Sequence, residues 1–472
     1  MTNAVAASPS VNPLSNREFR KLFSAQVIAL VGTGLSTVAL TLLAYDLVGG
    51  NAAAVLGTAL AFKMIAYVVF APIVGGLAHR FSRKPFLIGM DIVRAGIVLA
   101  MPFVTQVWHI YLLIFVLNLF SAGFKPVFAA TIPDILPEER AYTRALSMSR
   151  LAYDLENLLS PTFAALALLF MTYTGLFIAN SVAFLVSAVL IVITVFPAGR
   201  QVSRLGNLWS EISFGTVSYF KTPRLRALFA LYLGVSAASA MIIVNTVIYV
   251  KENLGLTSTD VAAALAAAGG GSMLAALTLP KVLDKVADRP VMLLGGAVMA
   301  LGVFLISSGP QFPQMLAVWF LVGLGWSLVQ TPAGRVVNRS SSASDRSAFF
   351  SAQFAISHAC WLLFYPIAGQ LGTRLGVETT AIWLAGGIAV FTVLAARLWP
   401  RDDAVVLVHE HQPVEHSHTH SHDEHHDHTG DDHAGVNPDE PHSHAHTHGA
   451  IRHSHNYVID DHHASWPASS TP

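Results

Sequence analysis

Residues 75–85 read Gly-Gly-Leu-Ala-His-Arg-Phe-Ser-Arg-Lys-Pro, and they separate two apolar runs long enough to cross a bilayer. Residues 280–290 read Pro-Lys-Val-Leu-Asp-Lys-Val-Ala-Asp-Arg-Pro and separate a second pair of such runs. A charged turn between two apolar helices thus occurs once in each half of the chain. Internal repeats of this kind are typical of membrane bundles built from two related halves.

The composition also indicates a membrane protein. Of the 472 residues, 53% are hydrophobic and 12% are charged, and the mean hydropathy is +0.55. Soluble domains carry about 25% charged residues, and a bilayer core requires about 20 apolar residues per helix. Twelve stretches meet that requirement: 20–47, 53–78, 86–104, 108–130, 149–171, 174–196, 226–249, 260–282, 290–308, 313–334, 348–371 and 377–399. We predict an all-α integral membrane fold with twelve transmembrane helices in two six-helix halves.

Lysine and arginine determine the predicted orientation, because cytoplasmic loops collect them. With the N-terminus inside, the inner segments contain twenty-two of these residues, and the outer loops contain Lys251 and Arg374. We predict a multi-pass protein of the plasma membrane, the inner membrane in a bacterium, with both termini in the cytoplasm. The first sixteen residues lack the pattern of a signal peptide.

These spans give a plan of five segments. They are a disordered cytoplasmic N-terminus (1–16), a first six-helix half (17–196), a cytoplasmic central loop (197–225), a second six-helix half (226–400) and a disordered His-rich cytoplasmic tail (401–472). Within the central loop, residues 208–220 have the pattern of an amphipathic helix on the membrane surface, with Trp209, Ile212, Phe214 and Phe220 facing lipid. The tail is polar and acidic, so we expect no packed core there.

The charged turn resembles the signature of the major facilitator superfamily, which reads approximately Gly-x-Leu-Ala-Asp-Arg-x-Gly-Arg-Lys. The matching residues are Gly76, Leu77, Ala78, Arg80, Arg83 and Lys84, whereas His79 replaces the Asp and Ser82 replaces the second Gly. In the second half, the corresponding turn retains an acidic residue, Asp284. The resemblance implies alternating access to a site between two halves, and it implies a gating turn made of Gly76, His79, Arg80, Arg83, Lys84 and Asp284.

Histidine dominates the tail, which holds 18 of the 21 histidines in the chain. Neutral imidazole and carboxylate groups are suitable ligands for divalent nickel, copper and zinc. Cys360 is the one cysteine, so a metal site made of several thiolates is excluded within a single chain. The predicted metal ligands are His416, His418, His420, His422, His425, His426, His428, His442, His444, His446 and His448. A tail of this composition does not select among these ions, because copper binds most tightly to such ligands. The alternative is a purification tag or a neutral solubilising tail.

Within the superfamily, a twelve-helix body followed by a His-rich tail resembles the NreB-type nickel-resistance permeases. That resemblance implies proton-coupled efflux of nickel, with cobalt or zinc as alternatives.

Charged residues inside the predicted helices need partners or functions. Asp91 and Arg94 lie on one helix face, so they form either a structural ion pair or part of a proton pathway. Asp154 shares a face with Arg150 and forms either a salt bridge or a transport site, with Asn157 beside it.

Glu156 points away from Asp154, and its candidate roles are a partner of Lys125, a ligand in the cavity or an interface residue. His358, in the other half, is either packed among apolar side chains or supplies nitrogen to a site closed by a carboxylate. The transport candidates are therefore Asp154, Glu156, Asn157, Asp91, Arg94 and His358.

Together these features predict a secondary-active exporter of divalent metal ions, most of all nickel, whose tail collects or senses metal. Two alternatives stay open: an exporter of a small organic compound, such as a drug or siderophore, with a metal-responsive tail, and a membrane-anchored metal buffer or sensor. The expected partners are the lipid bilayer, metal ions and protons, and we expect a monomer without a cofactor other than the metal. The chain has no phosphate loop for ATP, no basic patch for nucleic acid and no preorganised site for catalysis.

Overall fold

The computed structural model describes residues 12–48, 52–196, 208–403, 406–411, 414–420, 442–448, 451–459, 463 and 465–467. The first half consists of α1 (Arg17–Val48), α2 (Ala52–Leu77), α3 (Arg83–Ala100), α4 (Val107–Ile135), α5 (Glu139–Ala167) and α6 (Tyr173–Val192). Helix α7 (Leu208–Lys221) follows, and then α8 (Pro223–Asn253), which contains two π-helical stretches. The chain continues with α9 (Ser258–Leu283), α10 (Asp288–Leu305), α11 (Phe312–Arg339), α12 (Arg346–Leu375) and α13 (Val377–Leu398).

The helical body agrees with the sequence prediction, and α5 shows where the prediction was least accurate. Among the described residues, eleven helices are long and apolar enough to cross a membrane, and α5 is absent from that set. Helix α5 has 29 residues and begins ten residues before the predicted span. Its first turns are rich in arginine and its middle carries Asp154 and Glu156, so hydropathy underestimates its length.

Close helix crossings hold the second half together. A Cβ atom on Gly323 of α11 would lie 1.8 Å from the carbonyl oxygen of Ala268 in α9, and one on Gly271 of α9 would lie 1.8 Å from that of Phe320 in α11. Only glycine permits backbones to approach so closely, and small residues at such crossings are typical of membrane helices.

The two halves meet where α2 packs on α12 and α5 packs on α9. At one end of this interface lie both charged turns and the start of the tail, and we call this the charged end.

Helix α7 lies against the charged end and is more deeply packed than the sequence predicted. Its Trp209 is 74% exposed, as expected for a surface residue, whereas Phe214 packs against Phe349 of α12. A Cβ atom on Gly76 would lie 2.5 Å from the backbone of Ile212. The helix therefore supports the first charged turn as well as facing outward.

Four short strands lie in the described parts of the tail. They are β1 (Val406–His411), β2 (Val414–His420), β3 (His442–His448) and β4 (Ile451–Asn456). Strand β1 pairs antiparallel with β4, and β2 pairs antiparallel with β3. The backbone hydrogen bonds of these ladders need no packed core, and β-branched Val and Thr residues favour extended backbone.

Candidate functional site

The central candidate site lies between the halves and is built around Tyr67 of α2. The Nζ of Lys125 donates a hydrogen bond to the Tyr67 hydroxyl at 3.1 Å, and the Nζ of Lys63 lies 5.8 Å from the centroid of the Tyr67 ring. From the second half, the rings of Phe354 and His358 lie 4.9 and 4.7 Å from the Tyr67 ring. The site thus combines two lysines with aromatic surface.

His358 belongs to this aromatic surface and is oriented by its own helix. Its Nδ1 lies 2.7 Å from the carbonyl oxygen of Phe354, so Nδ1 carries the proton and donates, leaving Nε2 as the acceptor atom. The ring of Trp361 meets the imidazole edge-on at 4.9 Å. The ring of His358 is packed among aromatic side chains, as the first interpretation predicted. Its Nε2 atom keeps a lone pair, which the second interpretation requires.

Glu156 is partly buried on α5, close to α1. A Cβ atom on Gly34 of α1 would lie 3.2 Å from its Oε1 atom. The cations that act on its charge are Lys125 and, to a smaller extent, Lys63. Positive charge from both lysines thus acts on this carboxylate, and it opposes binding of a divalent cation beside Glu156.

Asp154 lies on the other side of α5, in a network that joins the halves. Its Oδ1 lies 2.8 Å from Nη2 of Arg150, and its Oδ2 accepts a 2.6 Å hydrogen bond from the Ser272 hydroxyl of α9. Arg150 also donates to the hydroxyl oxygen of Ser272 at 3.0 Å and to the side-chain oxygen of Gln330 at 3.3 Å, and its guanidinium lies 5.3 Å from the Trp326 ring. We call these residues the Arg150 network. The side chain of Asn157 lies outside the described residues.

Asp91 and Arg94 form a buried ion pair within the first half. The Ser187 hydroxyl donates to Asp91 at 2.7 Å, and the guanidinium of Arg94 lies between the rings of Phe124 and Phe184, at 4.0 and 4.5 Å. All of these partners belong to α3, α4 and α6. The geometry matches the structural interpretation of the pair.

Ion pairs across the halves concentrate at the charged end. Asp134 of α4 pairs with Arg83 of the first charged turn and with Arg346 of α12. Arg335 of α11 donates to Glu139 of α5 at 2.6 Å.

Further contacts strengthen this closure. Arg335 also donates to the Thr143 hydroxyl at 2.8 Å, and the Tyr142 hydroxyl donates to the carbonyl oxygen of Gly334 at 3.2 Å. Arg140 and Asp284 approach to 3.5 Å. The charged end is therefore closed in this structure.

The predicted gating turn contributes to this closure through several residues. Arg83 takes part directly, Arg80 donates to Glu211 of α7 at 3.0 and 2.8 Å, and Asp284 pairs with Arg140. Hydrogen bonding to Glu211 raises the pKa of Arg80 above its ordinary value, so this arginine stays charged. Lys84 is half-buried beside the turn, and the side chain of His79 lies outside the described residues.

Sequence reasoning missed Asp134, Tyr67, Ser272 and Trp326. A tyrosine, serine or tryptophan within an apolar run is compatible with either a lipid-facing or a buried position, so these residues gave no signal. Asp134 was detectable as an acid among basic inner segments, although its two arginine partners lie far apart in sequence.

The predicted tail ligands lie partly on the strands. Register pairs His416 with His446, His418 with His444, and His420 with His442, while His448 faces Val414. His422, His425, His426 and His428 lie outside the described residues. In the body and the other described parts of the chain, no group of three or more His, Cys, Asp or Glu residues could hold a metal ion.

Comparison with known families matches this architecture. The sequence profile of the Major Facilitator Superfamily matches residues 22–249 and 228–422. The chain belongs to the major facilitator superfamily. As a superfamily member it is a multi-pass membrane transporter, as the charged turn and the composition predicted, and not an enzyme.

Curated relatives match parts of this facilitator. Macrolide efflux protein A of Streptococcus pyogenes is 28% identical over 154 residues, covering 32% of the chain and 37% of the relative. The uncharacterized MFS-type transporter YfiS of Bacillus subtilis is 29% identical over 173 residues, covering 36% and 40%. The matches thus span less than half the length of these relatives.

Solved structures match the fold over most of the facilitator. The human organic anion transporter MFSD10 superimposes with a TM-score of 0.71 at 12% identity, covering 82% of this chain and all of that one. A bacterial homologue of the iron transporter ferroportin, outward-facing and soaked with iron, gives 0.68 at 10% identity, covering 81% and 99%.

Proposed function

We propose that this facilitator exports a small organic compound that has an apolar or aromatic body and presents an anionic group or hydrogen-bond acceptors. The observation that carries the proposal is the central cluster, in which Lys63 and Lys125 border the rings of Tyr67, Phe354 and His358. Sites that combine apolar and aromatic side chains with a few oriented polar groups are typical of organic ligands. The partial similarity to macrolide efflux proteins supports an exported organic substrate.

Transport would follow alternating access between the two halves, driven by inward proton flow. With the charged end in the cytoplasm of a bacterial cell, as the lysine and arginine distribution predicts, the closed charged end makes this a state closed toward the cytoplasm. Protonation of Asp154 would weaken its pairing with Arg150 and Ser272 and loosen the contact between α5 and α9. Glu156 is a second candidate for the proton carrier.

A second candidate, export of nickel with cobalt or zinc as alternatives, is favoured by the histidine register of β2 and β3. Residues on one face of paired strands lie about 4.5–5.5 Å apart across the ladder, within reach of one shared ion. The central site opposes this candidate, because an ion held by Glu156 and His358 would lie close to Lys125. We therefore place metal binding in the tail, as a collecting or sensing function, and transport of the organic compound in the body. A metal buffer or sensor without transport is the remaining alternative.

Growth tests separate these candidates. Cells that lack their main drug exporters would express the full chain, a chain ending at Arg401, residues 402–472 alone or an empty vector, and grow on macrolides, aromatic carboxylates, nickel, cobalt and zinc. We expect both versions of the chain to raise tolerance to organic compounds. If the full chain raises tolerance to metals only, and the tail alone does not, metal export is favoured. If the tail alone protects the cells from metals, buffering is favoured.

A further inference from the structure

Helix α7 contacts both halves at the charged end, so it bridges their interface. On the side of the first half, the end of α2 packs on the α7 backbone, where a Cβ atom on Gly76 would lie 2.6 Å from the carbonyl oxygen of Glu211. On the side of the second half, a Cβ atom on Gly215 would overlap the carbonyl oxygen of Ala348 in α12. Two contacts this close are both kept only while α2 and α12 stay at their present separation.

The connections of α7 decide which half it follows. Helix α7 ends at Lys221 and α8 begins at Pro223, so the single residue Thr222 joins α7 to the second half. Thr222 is fully buried, and its hydroxyl donates to the carbonyl oxygen of Ser218 at 2.9 Å. A buried connection of one residue permits little relative movement, whereas residues 193–207, between α6 and α7, are enough chain for α7 to move relative to α6.

Side chains strengthen the attachment of α7 to the second half. The fully buried Tyr219 donates from its hydroxyl to Oε1 of Gln353 in α12 at 2.5 Å. The ring of Phe220 lies 5.3 Å from the ring of Phe229 in α8, in the edge-on arrangement that aromatic pairs prefer. Helix α7 therefore forms one packed surface with α8 and α12.

The contact of α7 with the first half is of a different kind, because it includes an ion pair. The Arg80 guanidinium donates to both carboxylate oxygens of Glu211, at 3.0 and 2.8 Å. The Glu211 side chain is 4% exposed, whereas the Arg80 side chain is 49% exposed, so water can solvate Arg80 when the pair separates. Bidentate pairs of this kind are strong and directional, and this one stabilises the closed state.

The sequence of the first charged turn shows why an acid from another element is needed. Residues 78–85 contain three lysine or arginine residues and no Asp or Glu. Asp134 of α4 pairs with Arg83, and Glu211 of α7 pairs with Arg80. Because Asp134 also pairs with α12, each arginine of the turn is connected to the second half through a different acid.

We propose that α7 moves with the second half and that Glu211 is a positioning residue of the transport cycle, which holds Arg80 and thereby keeps the charged end closed. When the charged end opens, α7 leaves α2 together with the second half, and the pair between Glu211 and Arg80 separates. The proposal rests on alternating access, as proposed above. It does not depend on the identity of the substrate, because the distances that test it are measured without one.

Spin labels at three exposed positions, in a Cys360→Ser background, test which half α7 follows. They are Glu138→Cys in the first half, Lys285→Cys in the second half and Trp209→Cys in α7, introduced two at a time into the purified full-length protein. Asp134→Asn, which weakens the pairs with both of its arginines, supplies protein with an open charged end.

We expect Asp134→Asn to add a longer distance between the labels in the two halves, and also between α7 and the first half. The distance between α7 and the second half should stay the same. If α7 instead keeps its distance from the first half while its distance from the second half increases, the proposal is overturned.

Charge removal and charge exchange test the ion pair itself. Glu211→Gln and Arg80→Gln each remove the pair, and Arg80→Glu combined with Glu211→Arg restores it with the charges reversed. The matched control is Asp402→Asn, which neutralises an exposed acid at the charged end. The distance between the labels in the two halves measures the ratio of open to closed protein.

We expect each single variant to raise this ratio about three- to tenfold, the control to leave it unchanged and the charge exchange to return it toward the wild-type value. An unchanged ratio in both single variants would overturn the role of Glu211. Opening that the charge exchange does not reverse would assign the effect to lost packing of α7, and it would overturn the ion pair as the contact that keeps this end closed.

Discussion

Lys125 is the residue on which the proposed substrate chemistry depends most. Its ammonium group donates to the Tyr67 hydroxyl and acts on the charge of Glu156, so it connects the aromatic surface to a possible proton carrier. Its hydrogen bond goes to a neutral hydroxyl, and an ammonium group is costly within a membrane protein unless an anion balances it. An anionic group on a substrate would supply such a counter-ion during transport.

Replacing Lys125 by Gln should therefore lower substrate transport about tenfold, which is typical for loss of one charge-assisted hydrogen bond. Transport rates normalised to the amount of protein in the membrane would measure the effect. Lys251→Gln, at an exposed position near the end of α8, is the control and should transport normally. Normal transport by the Lys125 variant would remove this residue from the substrate site.

Asp154 gives a second prediction at the residue scale. Asparagine keeps the size of the side chain and can still accept from Ser272, but it cannot pair with Arg150 or carry a proton. We expect Asp154→Asn to retain exchange of substrate across proteoliposome membranes and to lose accumulation driven by a pH gradient. Asp402→Asn, at an exposed position, should leave both activities unchanged. Gradient-driven accumulation by the Asp154 variant would assign proton coupling elsewhere.

The sequence predicted the local part of this chemistry and missed the part that depends on packing. Spacing of four residues placed Arg150 beside Asp154 on α5, and the structure pairs them. The contacts of Arg150 with Ser272 and Gln330 cross between the halves, and no sequence pattern specifies which faces of two distant helices meet.

At the scale of elements, Asp134 at the end of α4 connects three helices. It pairs with Arg83 at the start of α3 and with Arg346 at the start of α12, so it joins the first charged turn to the opposite half. The family resemblance predicted a gating turn in this region. It did not reveal that an acid on α4 pairs with Arg83, while Arg80 pairs with α7.

Asp134→Asn should destabilise the closed charged end by about 2 kcal/mol, because it leaves two arginines with a weaker partner. Distances between spin labels on opposite halves at the charged end would show an increased open population. Asp284→Asn is the matched control, since its pair with Arg140 is longer and more exposed, and it should have a smaller effect. A larger shift in the control would contradict this ranking.

We expect the tail to bind metal and the body to transport the organic compound independently of each other. A chain ending at Arg401 should lose high-affinity binding of zinc and nickel while transporting the organic substrate at a rate similar to that of the full chain without metal. Calorimetry and transport assays on the same preparation would measure both properties. Metal binding that persists after truncation would place a metal site in the body.

For the whole molecule, the duplicated charged turn and the apolar runs were sufficient to predict the fold. Burial of helices in lipid depends on local composition, which the sequence displays directly. The closed charged end was not predictable, because alternating states share one sequence and differ by only a few kcal/mol. The contact between Arg224 and Trp466 was also not predictable, because the two residues are remote in sequence and neither belongs to a recognised pattern.

In our proposal, the body exports an organic compound while protons move inward, and metal binds in the tail. Uptake into inverted membrane vesicles with an imposed pH gradient tests it most directly, with labelled macrolides, labelled aromatic carboxylates and labelled nickel offered in parallel. We expect gradient-dependent accumulation of at least one organic compound, reduced by Lys125→Gln and preserved in the chain ending at Arg401. Accumulation of nickel without any of the organic compounds would contradict it.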